Sequence, residues 1–371
     1  MVYRLTKDRL QNGECMNTKR LGYLDMAKGI GIILVVAGHS GLVSENLLTW
    51  LASFHMPLFF MISGMLFFHK KEEDKSYGES IRKKARGILL PYFYFSIIYM
   101  MINVLYIFRH PELFTWDIIV NNLLETTSLY GISVLWFLPA LFIGEAVFLF
   151  LRKNTMHWVT ILVSLMLGAM AVILKNVYNA SFPAEAGVLV TWIGYLLQAL
   201  MRVGVAVLFL AVGYYTHALM QKREVSRLAS AIAAVVLFVI HGCLALFNGR
   251  VDLHFMVFNN PVVYFVTAFV GTMAVIFCCK ALPEWKGLTF LGENSLIVMA
   301  THLDCQVMIC AIRVGMFVSG LSPRAKDYIY VAVTALALLV AEVILIIVIN
   351  RFFPFLIGKK RSIAKKTQEI S

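Results

Sequence analysis

A lysine and a histidine stand eleven residues apart in one apolar segment, AKGIGIILVVAGHSGL, at positions 27–42. On an α-helix, eleven residues turn through about 1100°, so Lys28 and His39 share one face, about 16 Å apart along the axis. The Lys28 ammonium suits an anionic group such as a phosphate, and an imidazole can act as a general base near neutral pH. Asp25, three residues before Lys28, can pair with it. The alternative is that Lys28 only extends to a membrane surface and His39 bonds a neighbouring carbonyl group.

Other histidines and one tryptophan are candidates for the same site. His55 lies at the outer end of the second apolar segment, where a hairpin would bring it to His39; the alternative is an interfacial bystander. His302 lies inside a later apolar segment. Trp136 could stack on a sugar ring, although membership of an aromatic belt at the membrane surface is the preferred interpretation.

Several charged residues fall inside apolar segments, where ionisable groups are costly and usually face a cavity or a partner. Asp304 and Arg313 lie within the ninth predicted span, and Glu145, Arg202 and Glu342 fall near mid-membrane in theirs. One cation and two acids could compensate one another around a polar tunnel. Equally, buried ion pairs could serve only to fix helix packing.

The elements that must position these residues are membrane-spanning helices. The chain has 371 residues, of which 60% are hydrophobic and 15% charged, whereas soluble domains carry about 25% charged residues. Apolar runs of about 20 residues recur, and lipid requires each to be helical. The sequence therefore predicts an all-α integral membrane bundle of about ten spans, at 24–43, 49–69, 88–108, 132–151, 157–175, 191–216, 228–247, 260–280, 292–316 and 328–352.

The net charge of +12 is explained by topology and does not require a nucleic-acid partner. Of the 33 Lys and Arg residues, 26 fall in one alternating set of loops and tails. This asymmetry predicts a multi-pass plasma-membrane protein with both termini in the cytoplasm. The chain is therefore predicted to consist of an N-terminal tail at 1–20, a membrane domain at 21–353 and a basic C-terminal tail at 354–371. The six cysteines show no CxxC spacing, so no metal is expected.

Two motifs, YLDMAKGIGIILVVAGHS followed by FHMPLFFMISGMLF, resemble the start of the acyltransferase-3 family of integral-membrane O-acyltransferases. The nearest branch is the fucose 4-O-acetylase-like one. The family has ten core spans and a basic residue eleven positions before a histidine, which are Lys28 and His39 here. RKKARGILLPYFYF, LWFLPALFIGE and LGENSLIVMATHL resemble its third, fourth and ninth spans, in the right order.

The resemblance implies acyl transfer from a cytoplasmic acyl-CoA, usually acetyl-CoA, to a hydroxyl of a cell-surface or envelope carbohydrate-type acceptor. His39 would be the catalytic histidine and Lys28 its motif partner. The CoA phosphates would meet the basic loop at Arg82, Lys83, Lys84 and Arg86; the alternative is that this loop only reflects the charge rule for cytoplasmic loops. The donor or acceptor tunnel would be lined by His55, Trp136, Glu145, Arg202, His302 and Glu342.

A transporter of a small amino acid or a glycan precursor is the competing interpretation of a polar-lined helix bundle. The Lys28 and His39 pair favours the enzyme. Transporter binding sites are often formed where Gly or Pro interrupts a span near its middle, whereas Pro57, Pro91 and Pro139 are isolated or lie near span ends. Acyl transfer is therefore the predicted function.

Overall fold

The computed structural model describes residues 20–40, 43–181, 187–222, 224–303, 305, 307–319 and 328–359. These residues form helices and no β-strand, apart from an isolated bridge between Asp252 and Val257. Most of the predicted terminal tails, 1–20 and 354–371, lie outside the described residues.

The α-helices follow one another along the chain with these bounds: α1 (Gly22–His39), α2 (Glu45–Ala52), α3 (His55–His69), α4 (Tyr77–Lys84), α5 (Leu90–Arg109), α6 (Asp117–Thr127), α7 (Phe137–Asn154), α8 (His157–Ser181), α9 (Val188–Met220), α10 (Arg227–Asn248), α11 (Pro261–Ala281), α12 (Lys286–Glu293), α13 (Ser295–Thr301), α14 (Val307–Ser319) and α15 (Tyr328–Phe352). A π-helical turn, Ala85–Leu89, joins α4 to α5. Short 3₁₀ turns stand at Glu72–Asp74, Ser133–Trp136 and Pro354–Ile357.

Eight helical segments of the described chain are long and apolar enough to cross a membrane: Glu45–His69, Tyr77–Arg109, Ser133–Asn154, His157–Tyr178, Val188–Met220, Arg227–Asn248, Pro261–Ala281 and Val333–Phe352. Their outer faces carry large apolar side chains, such as Phe247, Val262 and Leu105. A water-soluble protein rarely exposes continuous apolar surface of this kind. The chain is a multi-pass membrane protein.

Two of the ten predicted spans are not among these eight segments. The first predicted span is α1, whose 18 residues include the polar side chains of Asp25 and Lys28. The ninth, predicted as one helix over 292–316, is divided among α12, α13 and α14. After α13 the chain turns, and the Met308 amide donates a hydrogen bond to the His302 carbonyl group. The count of ten and the cytoplasmic placement of both ends stay predictions.

Glycines allow the helices that carry the candidate residues to pack backbone against backbone. At Gly292 a Cβ atom would lie 1.9 Å from the carbonyl oxygen of Asp25, so α12 crosses α1 in direct contact. At Gly64 a Cβ would lie 2.0 Å from the Leu210 carbonyl oxygen, so α3 and α9 are equally close. Small residues permit such approaches in membrane proteins, and here they fix the helices of Lys28, His55 and Arg202.

Candidate active site

A cavity of about 510 Å³, here called the His39 cavity, lies at the C-terminal end of α1. Its wall is formed by the ends of α1 and α3, by α2, by residues 133–136, by residues 250–255 and by Met299 and Leu303. Three predicted site residues line it together: His39, His55 and Trp136. The hairpin that was expected to bring His55 to His39 is therefore confirmed.

Two of the histidines are anchored by backbone carbonyl groups. His55 Nδ1 lies 2.6 Å from the Leu51 carbonyl oxygen, and His302 Nδ1 lies 2.9 Å from that of Val298. Because a carbonyl oxygen only accepts, each Nδ1 carries the hydrogen, which leaves Nε2 as the acceptor of the neutral ring. The His55 side chain is thus held in one tautomer and one orientation by the end of α2, and that of His302 by α13.

His302 is fully buried, at 0% exposure, and its ring meets the ring of His39. The centroids are 5.3 Å apart and the planes are inclined by 79°, an edge-on arrangement. His302 Nε2 has no hydrogen-bond partner among the described residues. His39 itself is exposed, at the cavity. The arrangement thus places one accessible imidazole against one buried imidazole.

The aromatic wall of the His39 cavity is a stack of Trp136 on His254. Their centroids are 5.5 Å apart and their planes differ by 4°. Trp136 is 6% exposed, so the preferred interpretation, in which this side chain belongs to a lipid-facing belt, is wrong. Burial, together with the charge of Arg202, lowers the pKa of His254 to about 3. His254 is therefore neutral at pH 7 and acts as an aromatic surface.

Sequence reasoning missed four polar residues of this cavity: Ser133, Arg250, Asp252 and His254. All lie in segments between helices. Asp252 and Val257 exchange two backbone hydrogen bonds of 2.8 Å, which form a tight hairpin. The sequence does contain the signal RVDLHF at 250–255, a group of polar residues after an apolar run. Nothing local shows that this segment turns inward over His39.

The expected compensation among Glu145, Arg202 and Glu342 is wrong. The Glu145 carboxylate is 3.0 Å from Lys84 Nζ, and Glu342 accepts a 2.8 Å hydrogen bond from the Thr301 hydroxyl. Arg202 donates to the carbonyl groups of two segments between helices. The three charged groups have different partners because their helices place them in different parts of the bundle.

A second cavity, the Lys28 cavity, measures about 130 Å³ and lies beside the first. Lys28, Ser63, Ile88 and Phe137 contribute to its walls. The expected pairing of Lys28 is confirmed, because its Nζ lies 2.6 Å from a carboxylate oxygen of Asp25. Ile88 belongs to the π-helical turn, a feature that often occurs at functional sites.

A third cavity, the Lys84 cavity, measures about 240 Å³. Of the four basic residues predicted to bind the cofactor, Lys83 and Lys84 line it, whereas Arg82 and Arg86 are exposed and line none of the three cavities. Lys70, which was not singled out, also contributes to its wall. The remaining polar lining is Ser63, Glu72, Ser80 and Glu145.

The three cavities form a series. The His39 and Lys28 cavities share Val35, Met56 and Met299 as lining residues. The Lys28 and Lys84 cavities share Ser63. Methionine side chains are unbranched and adapt readily, so the boundary between the first two cavities is formed largely by movable groups. In the part of the chain that the structure describes, no cluster of three or more His, Cys, Asp or Glu residues could hold a metal ion.

Comparison with known proteins gives one match. The model of a family described as an acyltransferase domain matches residues 21–351, which is nearly the whole chain. No curated protein and no solved structure matches.

Proposed function

Because the chain belongs to this acyltransferase-3 family, we propose that it transfers an acetyl group from acetyl-CoA to a hydroxyl of a carbohydrate-type acceptor in the cell envelope. The observation that supports this most strongly is the series of three cavities, with lysines at one end and His39 at the other. If the chain belongs to the fucose 4-O-acetylase-like branch, a sugar hydroxyl is the expected acceptor.

The proposed reaction needs one base. The acceptor oxygen attacks the thioester carbonyl carbon, and His39 takes the hydroxyl proton. The new C–O bond forms, the C–S bond breaks, and the CoA sulfur leaves as a thiolate that receives the proton from His39. The products are the acetyl ester and CoA. His302, whose ring meets that of His39, would limit the orientations of the base.

The donor would enter at the Lys84 cavity. Lys70, Lys83 and Lys84 offer cationic donors to the CoA phosphates, and such hydrogen bonds are stronger than neutral ones. The Lys28 cavity, at about 130 Å³, suits a narrow chain such as the pantetheine arm. Lys28, already paired with Asp25, would mark the depth at which that arm begins.

The acceptor would occupy the His39 cavity. Its volume of about 510 Å³ is in the range of ligand sites, which typically combine an apolar lining with a few polar groups. Trp136 and His254 provide a flat aromatic face, and Asp252, Arg250 and Ser133 provide groups that can bond hydroxyls. This combination is suited to a sugar.

For the orientation, we propose the plasma membrane with both termini in the cytoplasm. The Lys84 cavity would then open toward cytoplasmic acetyl-CoA, and residues 250–255 would lie at the opposite surface. The ten crossings are reached by counting α1 and by counting α12 to α14 as one interrupted crossing.

One observation favours the transporter alternative. The helical segment is interrupted between α13 and α14, next to His302. Discontinuous helices at polar sites are typical of transporters. A transporter would move its substrate without forming a covalent product. The fate of a labelled acetyl group therefore separates the two functions.

The test uses acetyl-labelled acetyl-CoA with membranes that contain the protein, and membranes with the His39→Ala variant as the control. We expect the label in an envelope fraction, in a bond that mild base cleaves as it cleaves esters, with release of free CoA. Equal labelling by wild type and variant, or no labelling above protein-free membranes, would overturn the proposal.

A further inference from the structure

Two segments between helices form the polar and aromatic wall of the His39 cavity, and both are tied to one side chain. The first segment, residues 130–136, supplies Ser133 and Trp136 to the wall, and the second, residues 250–257, supplies Asp252 and His254. Neither segment is a long helix, so local backbone hydrogen bonds alone fix each of them weakly.

The side chain that joins them is Arg202, in the middle of α9. Its Nη1 donates to the Tyr130 carbonyl oxygen at 2.7 Å, and its Nε donates to the His254 carbonyl oxygen at 2.8 Å. The guanidinium carbon lies 4.1 Å from the ring centroid of Tyr130 and 5.2 Å from that of Trp136. One planar group therefore bonds both segments and faces two of their rings.

Arg202 is 1% exposed and does not line the His39 cavity. No carboxylate among the described residues forms an ion pair with it. Its Nε and Nη1 bond carbonyl oxygens and its plane faces aromatic rings, a known environment for arginine, whereas Nη2 has no hydrogen-bond partner among the described residues. A buried cation is costly, so its position between these two segments points to the carbonyl groups that it bonds there.

We propose that Arg202 is a positioning residue: its guanidinium joins residues 130–136 to residues 250–257 and thereby fixes the acceptor wall of the His39 cavity. Its role in the reaction rests on the proposed function, whereas the joining itself does not. Arg202 acts through the backbone of Tyr130 and His254, and it touches neither the donor nor the acceptor. The fixed fork of arginine suits two carbonyl groups, and the single ammonium of lysine matches it poorly.

A neighbouring residue provides a matched control. Gln198, one turn before Arg202 on α9, donates its side-chain amide to the same His254 carbonyl oxygen at 3.2 Å. It has no hydrogen bond to residues 130–136 among the described contacts. The two residues thus share one partner segment and differ in the other.

The first measurement is amide hydrogen exchange on the purified protein in detergent. Reporters exist in both segments, because Gly131 and Leu135 donate backbone hydrogen bonds in one, and Asp252 and Val257 in the other. We expect Arg202→Met to speed exchange in both segments, Arg202→Lys to do so less, and Gln198→Leu to affect only residues 250–257. Unchanged exchange in either segment of Arg202→Met, or acceleration spread evenly over the helices, would overturn the proposal.

The second measurement separates positioning from general stability. CoA binding reports folded sites at the opposite end of the cavity series, so turnover is expressed per CoA-binding site. We expect Arg202→Met to keep the CoA dissociation constant and to lose about tenfold or more of acetyl-CoA turnover per site, since small misplacements cost this much. Turnover per site that stays at the wild-type value while both segments loosen would contradict the role in the reaction. If wild type neither binds CoA nor turns over acetyl-CoA, the proposed function fails, and the exchange pattern still decides whether Arg202 joins the segments.

Discussion

The His39 cavity and the Lys84 cavity are built in opposite ways. Around His39, three buried or half-buried polar side chains are anchored to backbone carbonyl groups, as His55 is to Leu51, His302 to Val298 and Arg202 to His254, and only the exposed Arg250 pairs with a carboxylate among the described lining residues. Around Lys84, side chains pair with side chains: Lys84 with Glu145 at 3.0 Å and Lys75 with Glu72 at 2.5 Å. The side chains near His39 are therefore fixed by backbone groups, whereas those near Lys84 are fixed by ion pairs between side chains.

Under the proposed function, this difference would separate the chemical step at His39 from recognition of the donor at the lysines. A general base must stay within hydrogen-bond reach of the group it deprotonates, which requires rigid support. A phosphate-binding site tolerates more movement, because lysine is a flexible point charge. Substitutions near His39 should therefore lower kcat, whereas substitutions at the lysines should raise KM for the donor.

The largest effect is expected from His39→Ala. Loss of a general base usually costs about 10²–10⁴ in rate, and acetyl-CoA turnover should fall by that factor while the melting temperature stays near the wild-type value. His157→Ala is the control, because His157 is an exposed histidine at the start of α8, outside the cavities. A fall of equal size in the control would show that the assay does not report on the His39 cavity.

The second largest loss of turnover is expected from a substitution that obstructs the middle of the cavity series. Ser63 lines both the Lys28 and the Lys84 cavities, so Ser63→Phe should obstruct the route between them and lower turnover by about 10- to 100-fold, as expected when the donor cannot reach the base. Ser63→Ala should retain activity. Turnover by Ser63→Phe at the wild-type rate would mean that the two ends are not joined in the reaction.

Lys28 lies between the two regions, so its substitution should affect both kcat and the KM for the donor. Lys28→Ala removes the cation and leaves Asp25, which also contacts Arg20, so turnover should fall by about tenfold, the scale of one charge-assisted hydrogen bond. Lys28→Arg should be partly tolerated because it keeps the charge at that level. Comparable losses in both variants would indicate that the shape of the lysine, and not its charge, is required.

The smallest effect is expected at the exposed end of the series. Lys83→Ala should raise KM for acetyl-CoA by about 3- to 10-fold, consistent with one charge-assisted contact, with kcat nearly unchanged. Added salt should reduce the difference from wild type, because exposed charges are screened. Arg82→Ala and Arg86→Ala should change KM less, since neither side chain lines the Lys84 cavity. A lower kcat in Lys83→Ala would contradict the assignment of the lysines to donor binding and of His39 to the chemical step.

Local patterns predicted the parts of this molecule that depend on one helix. The pairing of Lys28 with Asp25 follows from helix geometry, and the presence of the eight long apolar segments follows from apolar run length. The family resemblance, carried by two motifs, is confirmed over residues 21–351. These features require no knowledge of how distant segments meet.

Long-range placement could not be predicted in this way. Arg202 is bonded to carbonyl groups of Tyr130 and His254, more than 50 residues away in sequence, so the compensation by Glu145 and Glu342 that charge alone suggests is wrong. The inward placement of His254 likewise involves a contact across more than 50 residues, because its carbonyl oxygen accepts from Arg202. The break between α13 and α14 lies within an apolar run, so hydropathy alone made it one span.

The proposed reaction requires that an acyl-CoA whose phosphates bind at the Lys84 cavity carries its acyl group to His39. The most direct measurement is photocrosslinking with a CoA thioester whose short acyl group bears a diazirine, followed by mapping of the labelled peptides. We expect label on residues of the His39 cavity, such as Met56, Met299 and residues 250–255, and competition by free CoA. Label confined to the lysine-lined end, or spread over surfaces outside the three cavities, would contradict it.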